Sequence, residues 1–475
     1  MGNMTQAFSE SKFLNETQLN QINENNNKND LHFGDVLSNF EAEHLIEKLR
    51  IINIEEYGSN EWFKQDEIYQ RLNMQAHVNA LMKSDEFIMD TMVTFDKLKI
   101  LIFDLVQTEL WKQKVLPLIK NHLLITNTYR NYIAIYHESV ICNLLEVVMY
   151  HRTAIDSAEE YLVELIDYCY RKLLNLANYQ KKKITKKSVE EMLAKTREQE
   201  FNEQIEDIEF KIGMMCISII RFITDYVQYL PIGTLHHLLE VTDILCVFVP
   251  LIENKPWLRQ NHNDEREKYE NSKWVIVEKN EYSKIIKIEA NVWIAIYNLF
   301  MSADCRKKYE LNEFRKSNLL RLRKYMNEIL MDQIPNLSHM LRSLEELSII
   351  QVQSIAQNNP FIVQQIPEIR EKISKGKNWK DIAEKQKQQY FIYDIEQAKE
   401  DMKRLADLYG QNIVEGLLEG FKCEQCKKML LKDVLHVKVF GIVQENVNYQ
   451  QNQEVEKVYK VQEIFQQKED LNDLD

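Results

Sequence analysis

Ten glycines and seven prolines are all that punctuate a chain of 475 residues. Average usage of about 12% for the two together would supply more than three times as many. Sheet-rich folds use both residues in their tight turns, and dinucleotide- or phosphate-binding folds use glycine where backbone approaches phosphate. A chain this poor in both has few tight turns and long helices. Hydrophobic residues make up 45% and aromatic residues 10%, enough to bury a large core and too many for overall disorder.

Helical periodicity supports the same reading. It begins near Gly34 and runs with few breaks. In 137–151, Val140, Ile141, Leu144, Leu145 and Val148 fall on one broad apolar stripe. Ser157 and Glu160 have the spacing of a capping box and are expected to open the next helix. Its stripe runs through Ala158, Leu162, Leu165, Ile166, Cys169, Leu173 and Leu176. Pro231, Pro250, Pro256 and Pro335 are expected to mark helix ends further on. Many helices with short connectors and no clean fixed repeat predict an all-α, armadillo- or HEAT-like array.

Composition divides the chain. Residues 1–32 form an Asn/Gln-rich leader, expected to be disordered. Helical subdomains are expected at 33–177 and 201–410. Between them, 178–200 is a connector carrying Lys181, Lys182, Lys183, Lys186 and Lys187, with a second capping pattern at Ser188 and Glu191. Within the second subdomain, 351–367 reads as loop and 368–410 as helices. Residues 411–475 form an irregular, amide-rich and charged tail.

The charge excludes some functions. Sixty basic residues against 73 acidic give a net charge of −13, whereas nucleic-acid binding needs a concentrated basic surface. The lysine run lacks interleaved aromatic residues and reads as a solvated connector. The first 30 residues contain no apolar signal core. Gln6 occupies the position where a myristoylation motif needs Ser or Thr. The longest uncharged stretch, 347–367, holds five Gln, two Asn and two Pro and cannot span a bilayer. A cytoplasmic protein with neither membrane nor nucleic acid as partner is expected.

Catalytic motifs are absent: no Walker loop, no G-x-G-x-x-G, no H-E-x-x-H and no G-x-S-x-G. His236 and His237 follow a Pro-Ile-Gly turn and read as helix-start residues. Trp111, Trp257, Trp274 and Trp293 sit among apolar residues and read as core anchors. Cys142, Cys169, Cys216, Cys246 and Cys305 lie singly in apolar patterns, the usage of a reducing compartment. Cys423 and Cys426 form a C-x-x-C, the first half of many zinc sites. His436 is the one imidazole beyond it, so the ligand set for a tetrahedral structural zinc is short by one.

Seven blocks in order resemble one family. They are LNMQA at 72–76, LWKQKVLP at 110–117, HESVICNLLEVVMYH at 137–151, SAEEYLVELIDYCYRKL at 157–173, NVWIAIYNL at 291–299, DQIPNL at 332–337 and QIPEI at 365–369. Together they look like the body of the zinc finger MYND domain-containing protein 10 family, over roughly residues 35–426. The resemblance implies a non-enzymatic cytoplasmic factor, concentrated near basal bodies and centriolar satellites, that preassembles inner and outer axonemal dynein arms for motile cilia. The partners it implies are Hsp90-class chaperones, a leucine-rich-repeat factor carrying a CS domain, and dynein chains as clients. Family members end in a MYND finger of seven Cys and one His that binds two zinc ions, and its opening pair aligns with Cys423 and Cys426. The remaining ligands are absent here, which leaves zinc as a cofactor only of a complete finger. Two other readings are a SET-type methyltransferase, which the missing Gly-rich cofactor loop and Asn-His pair disfavour, and a nuclear MYND-type corepressor adaptor.

Overall fold

The computed structural model describes residues 37–82, 85–126, 128–181, 195–270, 272–351 and 365–409. The N-terminal leader, most of the lysine run with the Ser188–Glu191 pattern, the core of the 351–367 loop, and the tail with Cys423, Cys426 and His436 lie outside the described residues.

The first helices are α1 (Asn39–Glu47), α2 (Asn60–Met82), α3 (Phe87–Thr94), α4 (Leu98–Lys114), α5 (Leu116–Thr126), α6 (Tyr129–Val148), α7 (Arg152–Ala158) and α8 (Tyr161–Ala177). Next come α9 (Arg197–Asp225), α10 (Ile232–His236) and α11 (Ile244–Asn254), then three strands, β1 (Leu258–Gln260), β2 (Arg266–Glu270) and β3 (Lys273–Ile276). The described chain ends with α12 (Lys287–Met301), α13 (Ala303–Lys308), α14 (Glu313–Arg321), α15 (Glu328–Gln333), α16 (Leu337–Ile349), α17 (Ile369–Ser374), α18 (Trp379–Gln389) and α19 (Ile395–Tyr409).

Packing follows the amphipathic stripes. Helices α2, α6, α9 and α12 lie side by side as one layer. Helices α4, α8, α11 and α14 form a second, with α4 on α6, α8 on α9 and α11 on α12. This two-layer stack is the all-α, armadillo- or HEAT-like array that the sequence predicts. Val140, Ile141, Leu144, Leu145 and Val148 are all buried, as is every apolar residue of the α8 stripe. Capping boxes start α1 at Ser38 and Glu41 and α9 at Thr196 and Gln199, each pair satisfying backbone N–H groups that the helix leaves orphaned. Among the described residues, no single helix is long and apolar enough to cross a membrane.

Three local expectations are corrected. Ser157 and Glu160 do not cap a helix: Ser157 lies inside the last turn of α7, which Glu159 ends at φ +47° while its carboxylate pairs with Lys99 at 2.9 Å. Helix α8 then starts without a side-chain cap. Pro250 lies inside α11 instead of ending it. The lost backbone bond is outweighed by burial, since Val247, Phe248, Val249, Leu251 and Ile252 around it are all buried. The small antiparallel sheet, ordered β1-β2-β3, interrupts a region expected to be helical. Its strands set Leu258, Tyr269, Trp274, Val275 and Ile276 among charged residues, and an Asn/Asp-rich turn separates the first two.

The last three helices return to the beginning of the array. Helix α17 packs on α4, and α18 packs on α5 and on the short 3-10 turn Ile54–Glu56. Gln386, fully buried, spans this junction: its Oε1 accepts from Trp111 Nε1 at 2.8 Å and its Nε2 donates to the Ile54 carbonyl at 2.8 Å. Phe391 is fully buried over Gly58, where a Cβ would come within 2.6 Å of the ring. Gly58 has φ +87°, so glycine is required there on both counts. Replacing Gln386 by Ala should cost about 2–4 kcal/mol, because it strands a buried donor and a buried acceptor together. Hydrogen exchange should show α18 losing protection before α6 or α9; unchanged protection would refute the junction.

Candidate functional site

Charged residues are concentrated where the two layers meet. Glu138 projects from α6 with its side chain fully enclosed. Its Oε2 lies 2.7 Å from Lys112 Nζ on α4, and its Oε1 lies 2.7 Å from Lys172 Nζ on α8. Tyr168 donates to the same Oε1 at 2.8 Å. Glu209 on α9 closes the cluster, 2.6 Å from Lys172 and 3.4 Å from Lys112. Burial alone would raise the Glu138 carboxyl, but the two ammonium groups outweigh it and hold it down at about 2. For Lys172, burial opposes the charge, and Glu138 and Glu209 more than restore it, raising the ammonium above its ordinary range.

A second set of charges ties α17 to this centre. Glu109 on α4 is buried and receives Arg171 Nη2 at 2.6 Å and Arg370 Nη1 at 2.7 Å. Glu164 on α8 accepts from the backbone N–H of Ile369 at 2.9 Å and from that of Glu368, capping the start of α17 from outside the helix. Burial raises its carboxyl, against these hydrogen bonds.

Helix α19 lies against α2 and α6 along a shallow cleft lined by Phe63, Asp66, Tyr129, Arg130, Ile133 and Asp401, among others. The buried Arg130 guanidinium meets Asp401 in a fork, Nε to Oδ2 at 2.8 Å and Nη2 to Oδ1 at 3.0 Å. Its Nη1 donates to Asn60 at 2.7 Å, and Phe63 lies beneath it with the ring centroid 4.4 Å away. Below the cleft, Asp66 Oδ1 lies 2.5 Å from His137 Nδ1 and its Oδ2 accepts from Gln70 at 2.6 Å. His137 is enclosed by the rings of Tyr57, Trp62 and Tyr69. With Arg130 engaged by Asp401 and Asp66 by His137 and Gln70, the cleft is a junction between helices of this chain. Sealed by aromatic rings, the His137–Asp66 pair serves packing.

The residues that the sequence singles out are distributed otherwise. Trp111, Trp257 and Trp293 are buried as expected, and Trp274 is half-buried against Phe210 and Tyr269. His236 ends α10 and His237 begins the π-turn that continues it, so both lie midway along one helical run, Ile232–Val241, and not at its start. Three of the scattered cysteines converge: Cys142, Cys169 and Cys216, from α6, α8 and α9, are fully buried with the Cys216 thiol interacting with the other two. Burial pushes all three thiols up, which keeps them protonated packing groups. Cys423 and Cys426 lie outside the described residues. Among the described residues, no three His, Cys, Asp or Glu side chains form a metal site. The ion cluster escaped sequence reasoning because its members stand far apart in the chain. The one available signal was Glu138 and Lys172 each falling on an apolar helical face.

The chain is 29% identical over 341 residues to the zinc finger MYND domain-containing protein 10 homolog of Drosophila melanogaster, a match covering 70% of this chain and 72% of that protein. No protein-family model matches the chain, and neither does a solved structure.

Two measurements bear on the ionic centre. Glu138→Gln leaves Lys112 and Lys172 facing a neutral amide and should lower unfolding free energy by about 3–5 kcal/mol in urea titrations. A loss below about 1 kcal/mol would show the cluster to be dispensable. The pH profile follows in sign. With the carboxyl at 4.5 unfolded and about 2 folded, its contribution is full above pH 4.5 and is lost as pH falls through 2. The full difference is about 3 kcal/mol, so Glu138→Gln should flatten the wild-type decline across that window.

Proposed function

Because the chain belongs to the zinc finger MYND domain-containing protein 10 family, we propose that it is a non-enzymatic scaffold for preassembly of inner and outer axonemal dynein arms. The observation that carries this reading is the similarity itself, which extends through most of the chain. The two-layer helical array supports it physically. Stacked helices present long continuous surfaces suited to holding another folded chain, as helical repeat proteins do.

In this reading the clients are axonemal dynein chains, and the work is done in the cytoplasm, near basal bodies and centriolar satellites, with Hsp90-class chaperones and a leucine-rich-repeat factor carrying a CS domain. The scaffold role does not depend on a metal centre. A structural zinc needs four thiolate or imidazole ligands, and beyond residue 410 the sequence offers Cys423, Cys426 and His436 alone. The residues present do not fit a two-zinc finger.

Two experiments test the proposal. Removing the protein from a cell with motile cilia should deplete outer and inner dynein arms and leave the microtubule doublets intact, as seen by electron microscopy of axonemes. Normal arms would overturn the function. Metal analysis of the purified chain by mass spectrometry should find less than one tightly bound zinc per molecule; two would overturn the reading of the C-x-x-C.

A further inference from the structure

Apolar side chains anchor α17 and α18 to the array, whereas α19 is held differently. Ile369, Ile373, Ile382 and Phe391 all belong to the hydrophobic core. Of the α19 side chains that the structure describes, none joins that core and Asp401 alone is buried. Ile395, at the start of the helix, is 59% exposed. The link from Phe391 to α19, residues 392–394, is exposed throughout. Among the described side chains, then, the contact that seats α19 is the fork between Asp401 and Arg130.

The two sides of this contact are unequally prepared for separation. Helix α19 carries its own supports: Asp394 caps it through the Glu396 N–H at 3.0 Å, and Glu400 pairs with Arg404 one turn on at 2.8 Å. Asp401 itself has Arg404 Nη1 at 3.9 Å, so its carboxylate keeps a cation when the helix lifts away. Arg130 stays behind in the wall of the cleft, only 4% exposed. Asn60 holds its Nη1, Phe63 lies beneath its plane, and Asp66 on the same wall is taken by His137 and Gln70. These contacts fix the guanidinium with its fork toward the cleft, a preformed receptor for a carboxylate.

We propose that the Arg130 cleft is a docking site for a helix of another protein, one bearing an acidic side chain with a carboxamide one turn before it, and that α19 closes this site in cis. Helix α19 supplies the template: Asp401 fills the fork, and Gln397, four residues earlier, meets Asn60 at 2.8 Å. Phe63, Tyr129 and Ile133 line the cleft beside the fork and offer apolar surface to the incoming helix. The short tether keeps α19 at high effective concentration, so the cleft is closed in the free chain and yields to a ligand that supplies the same carboxylate. Charge selects the occupant, since a helix offering Lys or Arg at this position would meet the guanidinium and be refused.

The probe is a fluorescently labelled peptide of residues 393–409, titrated into full-length chains. Asp401→Asn in the chain removes the cis carboxylate with little change of shape and should raise peptide affinity more than about tenfold over the unsubstituted chain. The same substitution placed in the peptide, where it cannot affect folding of the chain, should weaken binding to the Asp401→Asn chain more than about tenfold. Hydrogen exchange of the unsubstituted chain should show α19 exchanging well ahead of α18, and faster still at saturating peptide, which displaces it. A peptide that binds neither chain, binding indifferent to the peptide's own Asp401, or α19 as protected as α18 would each overturn the proposal. Dimers of the unsubstituted chain that the peptide dissolves would give the cleft to α19 of a second copy and overturn its assignment to a separate protein. Peptide binding is measured apart from dynein-arm assembly, so either can fail without the other.

Discussion

The enclosed carboxylate of Glu138 is the constraint on which the array depends. A charge in that position is tolerable only while both lysines are in place, since stranding one member of a buried pair costs more than the pair contributes. Lys112, Glu138, Lys172 and Glu209 stand on four different helices, α4, α6, α8 and α9. Those helices must therefore reach their final positions together. Apolar stripes alone would let adjacent helices slide by a turn at modest cost, whereas the ion cluster accepts one register. The gain is in specificity more than in net stability, and Arg370 on Glu109 extends the same requirement to α17.

The return of α17, α18 and α19 to the first helices uses a different balance. Gln386, the Arg130–Asp401 fork and the Glu164 cap are polar contacts, each fully partnered and each made to a helix that precedes it by 200 residues or more in sequence. Such contacts have exacting geometry and a small apolar component. They fix where the C-terminal helices dock, beside the apolar anchors Ile369, Ile373, Ile382 and Phe391 that join those helices to the core.

Much of this was legible in the sequence. The scarcity of Gly and Pro predicted the all-α array, and the stripes on 137–151 and 158–176 were buried residue for residue. What could not be read was decided by tertiary context. Ser157 and Glu160 have cap spacing, but the chain reverses at Glu159 and places Ser157 in the preceding helix. Pro250 stays within a helix because the burial around it outweighs one missing hydrogen bond. Neither the meeting of Cys142, Cys169 and Cys216 nor that of Lys112 with Glu138 has any local signature, for spacing along the chain does not encode which helix faces become neighbours across two layers. The family resemblance, carried by seven ordered blocks, reached further into function than any pattern of composition, and the similarity to the Drosophila protein agrees with it.

The central claim is that Glu138 and its lysines act as one unit holding the two layers in register. A double-mutant cycle between Glu138→Gln and Lys172→Met, read as unfolding free energy, measures that directly. The account predicts strong coupling, with the double variant more stable than the sum of the single losses by at least about 2 kcal/mol. Losses that add to within about 0.5 kcal/mol would contradict it and reduce the cluster to independent charges.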